Sequence, residues 1–494
     1  MRYILALSFL CMACDASAHF FGTIYSLPIP FWMYAYGAAA ALVVSFALVA
    51  YFVNAGTIPQ NFRTRDLSGN RVFSLLTGAV VASSLRALSV AALTLTIATG
   101  LFGQRGPFAD FNMILFWVVF ALGFTYLTAV VGDLYALVNP WRVLCEWVEC
   151  IKPGSFVPRL PYPVWLAYWP ALALYLAYIW LELFGHTQPR SLALALLIYS
   201  GITAAGAWLF GMEAWFRRGE FFAVFLRLIA RMAPFEYTAA SDGRRRLQLR
   251  QPFIGLIQDS AEHPSLVLFV LFMLSSTAFD GAHDTLPWVG IFWKGIYPHL
   301  APLVAAASTQ PYAIATGLYY AWQWAMLALS PFLYYGVYLL FVWLTKLAAG
   351  SAIPLRELSL RFAFTLVPIA FVYNITHYYT LLITQAPSLV KLISDPFGYG
   401  WNLFGTRNID LPPLIPGAGF VWHTQVWLIL AGHIVSVYLS HLEALKLFPG
   451  GRRAAISQVP MLFLMVIFTT VGLWILSLPI AAGQIVQAPP LPSN

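Results

Sequence analysis

Apolar residues in this chain gather into ten long runs, at 31 to 53, 86 to 102, 112 to 134, 163 to 184, 191 to 212, 265 to 280, 320 to 345, 360 to 384, 421 to 445 and 459 to 481. Runs of about 18 to 25 residues match the roughly 20 that a helix needs to cross a hydrocarbon core, whereas barrel strands would alternate over much shorter segments. The pattern predicts an all-α membrane protein of about ten transmembrane helices. Ahead of them, residues 1–18 read as a secretory signal, with Arg2, the apolar run Ile4 to Leu10 and the small-residue site Ala16-Ser17-Ala18. The mature chain is then expected to begin at His19, with the transmembrane domain over 19–481 and a polar tail over 482–494.

Charge orients these spans. Of the 27 Lys and Arg residues, 21 fall in alternate connections: Arg63 to Arg86, Arg142 to Arg159, eight Arg from Arg217 to Arg250, Lys346 to Arg361, and Lys446 to Arg453. The intervening connections carry only Arg105, Arg190, Lys294, Lys391 and Arg407. By the positive-inside rule the first set is cytoplasmic, which predicts a bacterial inner (cytoplasmic) membrane protein with both mature termini in the periplasm. The basic cytoplasmic segment spans 213–263, and two long periplasmic loops, 280–319 and 385–420, are expected to fold over the bundle because loops of that length are usually functional. Within the basic segment, residues 215–232 read as a helix lying flat on the inner leaflet, with Arg217, Glu220, Arg227 and Arg231 on one arc.

Composition adds exclusions. The net charge is +8, yet only 9% of residues are charged and the excess sits beside spans, so nucleic acid is not an expected partner. The expected partners are the lipid bilayer and a hydrophobic small-molecule substrate, with a homologous membrane subunit or a homo-oligomer left open. Cys11 and Cys14 would leave with the signal. Cys145 and Cys150 fall on the cytoplasmic side, where a disulfide framework is not expected. No phosphate loop, nucleophile elbow, His-Glu-x-x-His pair or Cys-x-x-Cys site is present.

Seven of the nine histidines fall on the outer side: His19, His186, His283, His299, His377, His423 and, near mid-depth, His433. An ionisable residue inside a membrane is a functional candidate by default. His423, His433 and His441 share the ninth span but cannot form one cluster. His423 and His441 lie roughly 27 Å apart, and His433 is turned roughly 80° from both. A site must therefore draw on separate spans, and His377 of the eighth pairs best in depth with His433 or His423. At the end of the sixth span Asp280, His283 and Asp284 could bind a metal or act as a base, or Asp280 could end the helix and Asp284 cap the next. Asp395 and Asp410 read as turn residues, while Arg86, Glu182 and Glu213 read as span-end residues serving insertion and packing. A mature His19 would offer an amine and an imidazole together, a chelate suited to copper.

The runs Ala18-His19-Phe20-Phe21-Gly22, Leu27-Pro28-Ile29-Pro30-Phe31-Trp32-Met33-Tyr34, Val131 to Arg142, Ser275 to Gly281, Thr376-His377-Tyr378-Tyr379, Ile393 to Gly405 and Gly432 to Leu445 follow one another along the chain. In that order they resemble membrane proteins of the fenitrothion hydrolase type, over nearly the whole length. The resemblance implies cleavage of the P–O-aryl bond of organophosphorus triesters, and it transfers no catalytic residue. Residue by residue, the expected site comprises His377, His433 and Asp280 as catalytic groups and Tyr373, Tyr378 and Trp401 as substrate contacts. His377, His433, His423, His283 and His19 are the candidate ligands of a divalent metal ion of unknown identity, which would lower the pKa of bound water. The rival readings are a small-molecule or metal-ion permease and a copper or redox protein built on His19.

Overall fold

The structure is a computed structural model and describes residues 30–53, 64–67, 69–70, 78–104, 110–239, 245–307, 311–409, 411–412 and 414–478. The expected signal segment, His19, Asp410 and the tail lie outside the described residues.

Helices follow the apolar runs. In chain order they are α1 Phe31–Phe52, α2 Ala79–Phe102, α3 Phe111–Val131, α4 Pro140–Ile151, α5 Trp169–Phe184, α6 Pro189–Phe210, α7 Met212–Arg218, α8 Phe221–Ala230, α9 Pro264–His283, α10 Pro311–Ala349, α11 Leu355–Leu392, α12 Ala418–Leu447 and α13 Gly451–Ser477. Among the described residues nine are long and apolar enough to cross a membrane. The fourth expected span appears as the shorter α5, 16 residues, because Pro161, Pro163 and Pro170 keep the chain before it out of the helix until Pro170 takes a first-turn position. Eleven residues of α3, Ile114–Phe124, form a widened π-helix, a feature common beside functional sites.

Burial ranks the helices. In α9, 83% of the apolar window is enclosed by protein, against 11% in α1 and α2, so α9 is the axis of the bundle and the first two helices present most of their surface outward. α9 packs against α5, α10, α11 and α13. It runs parallel to α5: at one end the Ser265 hydroxyl accepts from the Tyr168 N–H at 3.1 Å, and at the other the Phe184 ring meets Phe279 at 6.3 Å and His283 at 5.8 Å. Ser275 and Ser330 hydroxyls bond at 3.0 Å across α9 and α10.

Two expectations change. The segment 280–319 is mostly helical: α9 continues to His283, short helical turns occupy Leu286–Gly290, Ile291–Ile296 and Tyr297–Ala307, and α10 begins at Pro311. The segment 385–420 keeps its irregular character after Leu392, where the Asp395 carboxylate accepts from the N–H groups of Tyr399 and Gly400, as a turn residue should.

The helix expected to lie flat over 215–232 is instead broken at Gly219-Glu220 into α7 and α8, and α8 is inserted among the spans. Phe222 meets Phe120 of α3 at 5.0 Å and Tyr178 of α5 at 5.7 Å, and Phe221 stacks on Tyr175 at 4.7 Å. Its aromatic face therefore buries against protein rather than against the leaflet. Glu220 caps the start of α8, accepting from the N–H groups of Phe222 and Ala223 at 3.0 and 2.7 Å and bonding Asn139 and Tyr199. The buried Arg250 closes the other end by donating to the carbonyls of Ala230, Arg231 and Ala233. Arg250 follows a three-stranded antiparallel sheet, order β1-β3-β2, of β1 Arg65–Asp66, β2 Phe235–Ala239 and β3 Arg245–Leu249, with Arg65 and Phe235 both opposite Leu249.

Candidate functional site

α9 and α11 bring their polar residues together inside the bundle. His377 Nε2 lies 2.7 Å from Oδ2 of Asp280, with both side chains about one-tenth exposed or less. The Tyr378 hydroxyl donates to the same carboxylate at 2.6 Å. The Glu182 carboxyl of α5 lines the same small cavity as Tyr378 and Asp280. His283, one turn beyond Asp280, places Nδ1 2.8 Å from the Asp280 carbonyl and stacks its ring on Phe279, 5.6 Å away and nearly parallel. Asp280 is therefore not a helix end: α9 continues past it, and Asp284 closes α9 while Thr285 begins the next turn.

The local sequence accounts for the convergence. Asp280 and Ser276 are four residues apart and so share a face of α9, and Asn374 and Tyr378 share a face of α11 in the same way. All four, with Glu182, Tyr175 and Tyr178 of α5, Phe120 and Thr125 of α3 and the aromatic residues of α8, line one cavity of about 30 Å³. That is room for a water molecule or two. The Asn374 Oδ1 is buried with no hydrogen-bond partner among the described residues.

Proton accounting gives this cluster its chemistry. A phenol has one hydrogen to donate. Tyr378 gives it to Asp280, whose carboxylate also faces His377 Nε2. Tyr378, Asp280 and His377 thus form a hydrogen-bonded chain, and Glu182 stands across the water-sized cavity that Tyr378 and Asp280 also line, so that the four together can hold or pass a proton.

The other expected residues are dispersed. His433 is fully buried on α12, its Nδ1 2.8 Å from the Ile429 carbonyl, its ring 5.9 Å from Tyr373, and its Nε2 without a partner among the described residues. Tyr373 donates to the Phe468 carbonyl at 2.9 Å, so its hydroxyl is occupied in helix packing. His423 is exposed at the start of α12, 6.2 Å from Tyr34. Trp401 packs on Phe397 and Tyr399 in the irregular segment. Among the described residues no group of three or more His, Cys, Asp or Glu side chains is placed to hold a metal ion. Glu182 is the residue that a reading by position missed. The signal was present in Trp180-Leu181-Glu182-Leu183-Phe184, where a carboxylate stands among apolar neighbours with no cation beside it.

A second and larger cavity, about 660 Å³, lies at the Arg-rich end of the same helices. Tyr168 and Leu266 line it, while Glu182 and Asp280, each fourteen residues further along α5 and α9, line the smaller one. Fourteen residues of helix rise roughly 21 Å, so the two cavities are stacked along the bundle. α8 stands between them: Phe221, Phe222, Phe225 and Leu226 face the small cavity, and Ala223, Arg227, Leu228 and Arg231 face the large one.

Compared with protein-family models, with curated proteins and with solved structures, the chain matches none. The chain is a multi-span helical membrane protein. What it does rests on the cluster itself.

Proposed function

We propose that this chain is a membrane transport protein in which Glu182, Tyr378, Asp280 and His377 carry protons, moving a small cation or coupling proton movement to a small solute. The observation that carries the reading is the placement of this hydrogen-bonded chain between helices, next to a water-sized cavity, with the aromatic face of α8 separating it from a large cavity toward the opposite end. Intramembrane carboxylate and imidazole chains of this kind serve proton relays. A cavity of about 30 Å³ accommodates water and excludes a bulky ester, which favours transport over chemistry on a large molecule.

The test is reconstitution into liposomes holding a pH-sensitive dye, with a potassium diffusion potential imposed. Proton entry that disappears in Asp280→Asn supports the reading. Equal acidification with wild type, Asp280→Asn and empty liposomes would remove it.

A second reading, hydrolysis of aryl phosphotriesters, draws on the resemblance and on one observation, the Asp280–His377 dyad. A carboxylate that orients an imidazole can make it a general base, worth typically about 10²- to 10⁴-fold. Here the imidazole would take a proton from a water molecule, and the hydroxide would displace the aryloxide from phosphorus. The substrate would have to open the helices to reach it. Nitrophenol release from 4-nitrophenyl diethyl phosphate that is lost in His377→Ala would favour this second reading, and its absence in wild type would dispose of it.

A further inference from the structure

The large cavity is walled by Arg142 of α4, Arg217 of α7, Arg227 of α8 and Arg231 at its C-terminal cap, and Arg361 of α11, together with Asp133, Glu213, Asp259 and Glu262. Most of these charges are spoken for within the protein. Arg142 pairs with Glu146 and Glu213, Arg217 with Glu262, Arg231 with Asp259, and Arg361 with Glu443 at 3.8 Å. Arg227 is different. Among the described residues no carboxylate lies within 4 Å of it, and its one hydrogen bond goes to the Arg217 carbonyl at 2.6 Å. A guanidinium has five N–H donors, so most of this fork is unspent.

Its surroundings deepen the imbalance. Arg217 and Arg231 both act on Arg227 as like charges, and Asp133, which acts on it in the opposite sense, has its carboxyl pushed above the ordinary range by burial. The positive-inside rule explains why such residues lie at this end of the helices, but not why five of them, brought by four helices, line one partly open cavity of about 660 Å³. That volume falls in the range of small-molecule sites.

We propose that this cavity binds a phosphate-bearing anion, with Arg227 as the forked anchor. The planar guanidinium matches a phosphate group with two parallel hydrogen bonds, and the partly enclosed setting strengthens them. The phosphate can be a free solute or the headgroup of an anionic lipid, and both present the same oxygens. This inference does not depend on proton movement through the Asp280 cluster.

The full chain is placed in nanodiscs of phosphatidylcholine alone, and binding of radiolabelled inorganic phosphate is measured at constant chloride. Saturable binding, weakened roughly tenfold or more in Arg227→Gln, is expected. A parallel set of nanodiscs containing phosphatidylglycerol separates the sources: protection that requires the anionic lipid, and still depends on Arg227, assigns the site to a headgroup and supports the proposal. If Arg227→Gln does not fold, wild-type protein serves, with phenylglyoxal modification of Arg227 followed by mass spectrometry. Shielding of Arg227 by inorganic phosphate or by phosphatidylglycerol supports the site. No saturable binding with phosphate and no shielding with either anion would overturn it, as would equal binding by folded Arg227→Gln.

Discussion

His377 Nε2 and Asp280 Oδ2 stand 2.7 Å apart between two helices that the sequence separates by an entire span, and neither side chain has more than about a tenth of its surface free. Removing one member of a buried pair leaves the other uncompensated, at a typical cost of roughly 3–5 kcal/mol. His377→Ala is therefore expected to lower the melting temperature and to abolish proton entry into liposomes. Asp280→Asn should abolish entry too. The double variant should be less destabilised than the sum of the singles, since it removes both halves of one interaction. Additive losses, measured by thermal unfolding in detergent, would mean that the two side chains do not interact in the folded protein.

Tyr378→Phe probes the link in the middle of the chain. It removes the hydroxyl that donates to Asp280 and lines the cavity shared with Glu182, and it leaves the ring packed against His377, 4.7 Å away. The cost to stability is expected to be about 1–3 kcal/mol, that of a buried acceptor left unsatisfied. Proton entry should fall much further than stability does, because Glu182 is cut off from Asp280. Wild-type entry in a folded Tyr378→Phe protein would show that Tyr378 passes nothing on.

The sequence carried the architecture well, because a long apolar run has few alternatives in a bilayer: each of the ten runs corresponds to a helix, ends aside. It carried the site in part. Residue type marks Asp280, and depth marks His377, but pairing His377 with His433 or His423 by depth leaves out rotation about the helix axes, which decides which faces meet. His433 turns to Tyr373 and the Ile429 carbonyl, whereas His377 turns to α9. The position of Glu182 near a span end points to packing, and only the folded arrangement of α5 shows that it shares a cavity with Asp280 and Tyr378. α8 misled in a more general way: an amphipathic helix buries its apolar face, and lipid and protein satisfy that demand equally well on paper.

The entry of α7 and α8 into the bundle depends on a close approach at Gly206. A methyl group there would come within 2.3 Å of the Trp215 indole, a rigid ring that packs against Phe210. Gly206→Ala should therefore push α7 off α6, at a typical overpacking cost of about 1–3 kcal/mol. The expected result is faster proteolysis of the segment after Arg218, with the remaining helices intact. Gly201→Ala, where nothing lies within 4 Å, is the matched control and should leave the segment protected.

Asp133 supplies a pH dependence with a definite sign. Burial pushes its carboxyl up, opposed by the Ala136 N–H and by Arg227, Arg142 and Arg231. A carboxyl that holds its proton more tightly when folded makes the fold less stable as pH rises from the unfolded value of about 3.9 through the folded one, and the loss is complete above that. Asp133→Asn keeps an oxygen for the Ala136 N–H and removes the charge. It should melt higher than wild type at pH 8, with the difference shrinking toward pH 4. A variant that melts lower at pH 8 would mean that attraction to the three arginines outweighs burial.

Phe222 bears on whether α8 acts as the barrier between the two cavities. Its ring meets Phe116, Phe120, Trp141, Tyr178 and Tyr199 at 5.0 to 6.3 Å, and it stacks parallel to Trp141. Truncation to alanine removes most of that contact, at a typical cost of roughly 3–5 kcal/mol, and leaves a void between a water-sized cavity above and an open one below. If aromatic packing is what keeps water from joining the two, Phe222→Ala should admit protons without any imposed solute gradient, and the leak should persist when Tyr378 is also changed to Phe, because a continuous water path no longer needs the hydroxyl. Phe222→Leu, which refills much of the space with an apolar side chain, should restore tightness. A leak through Phe222→Ala that vanishes with Tyr378→Phe would place the rate-limiting barrier at the hydrogen-bonded chain and leave α8 as scaffold alone.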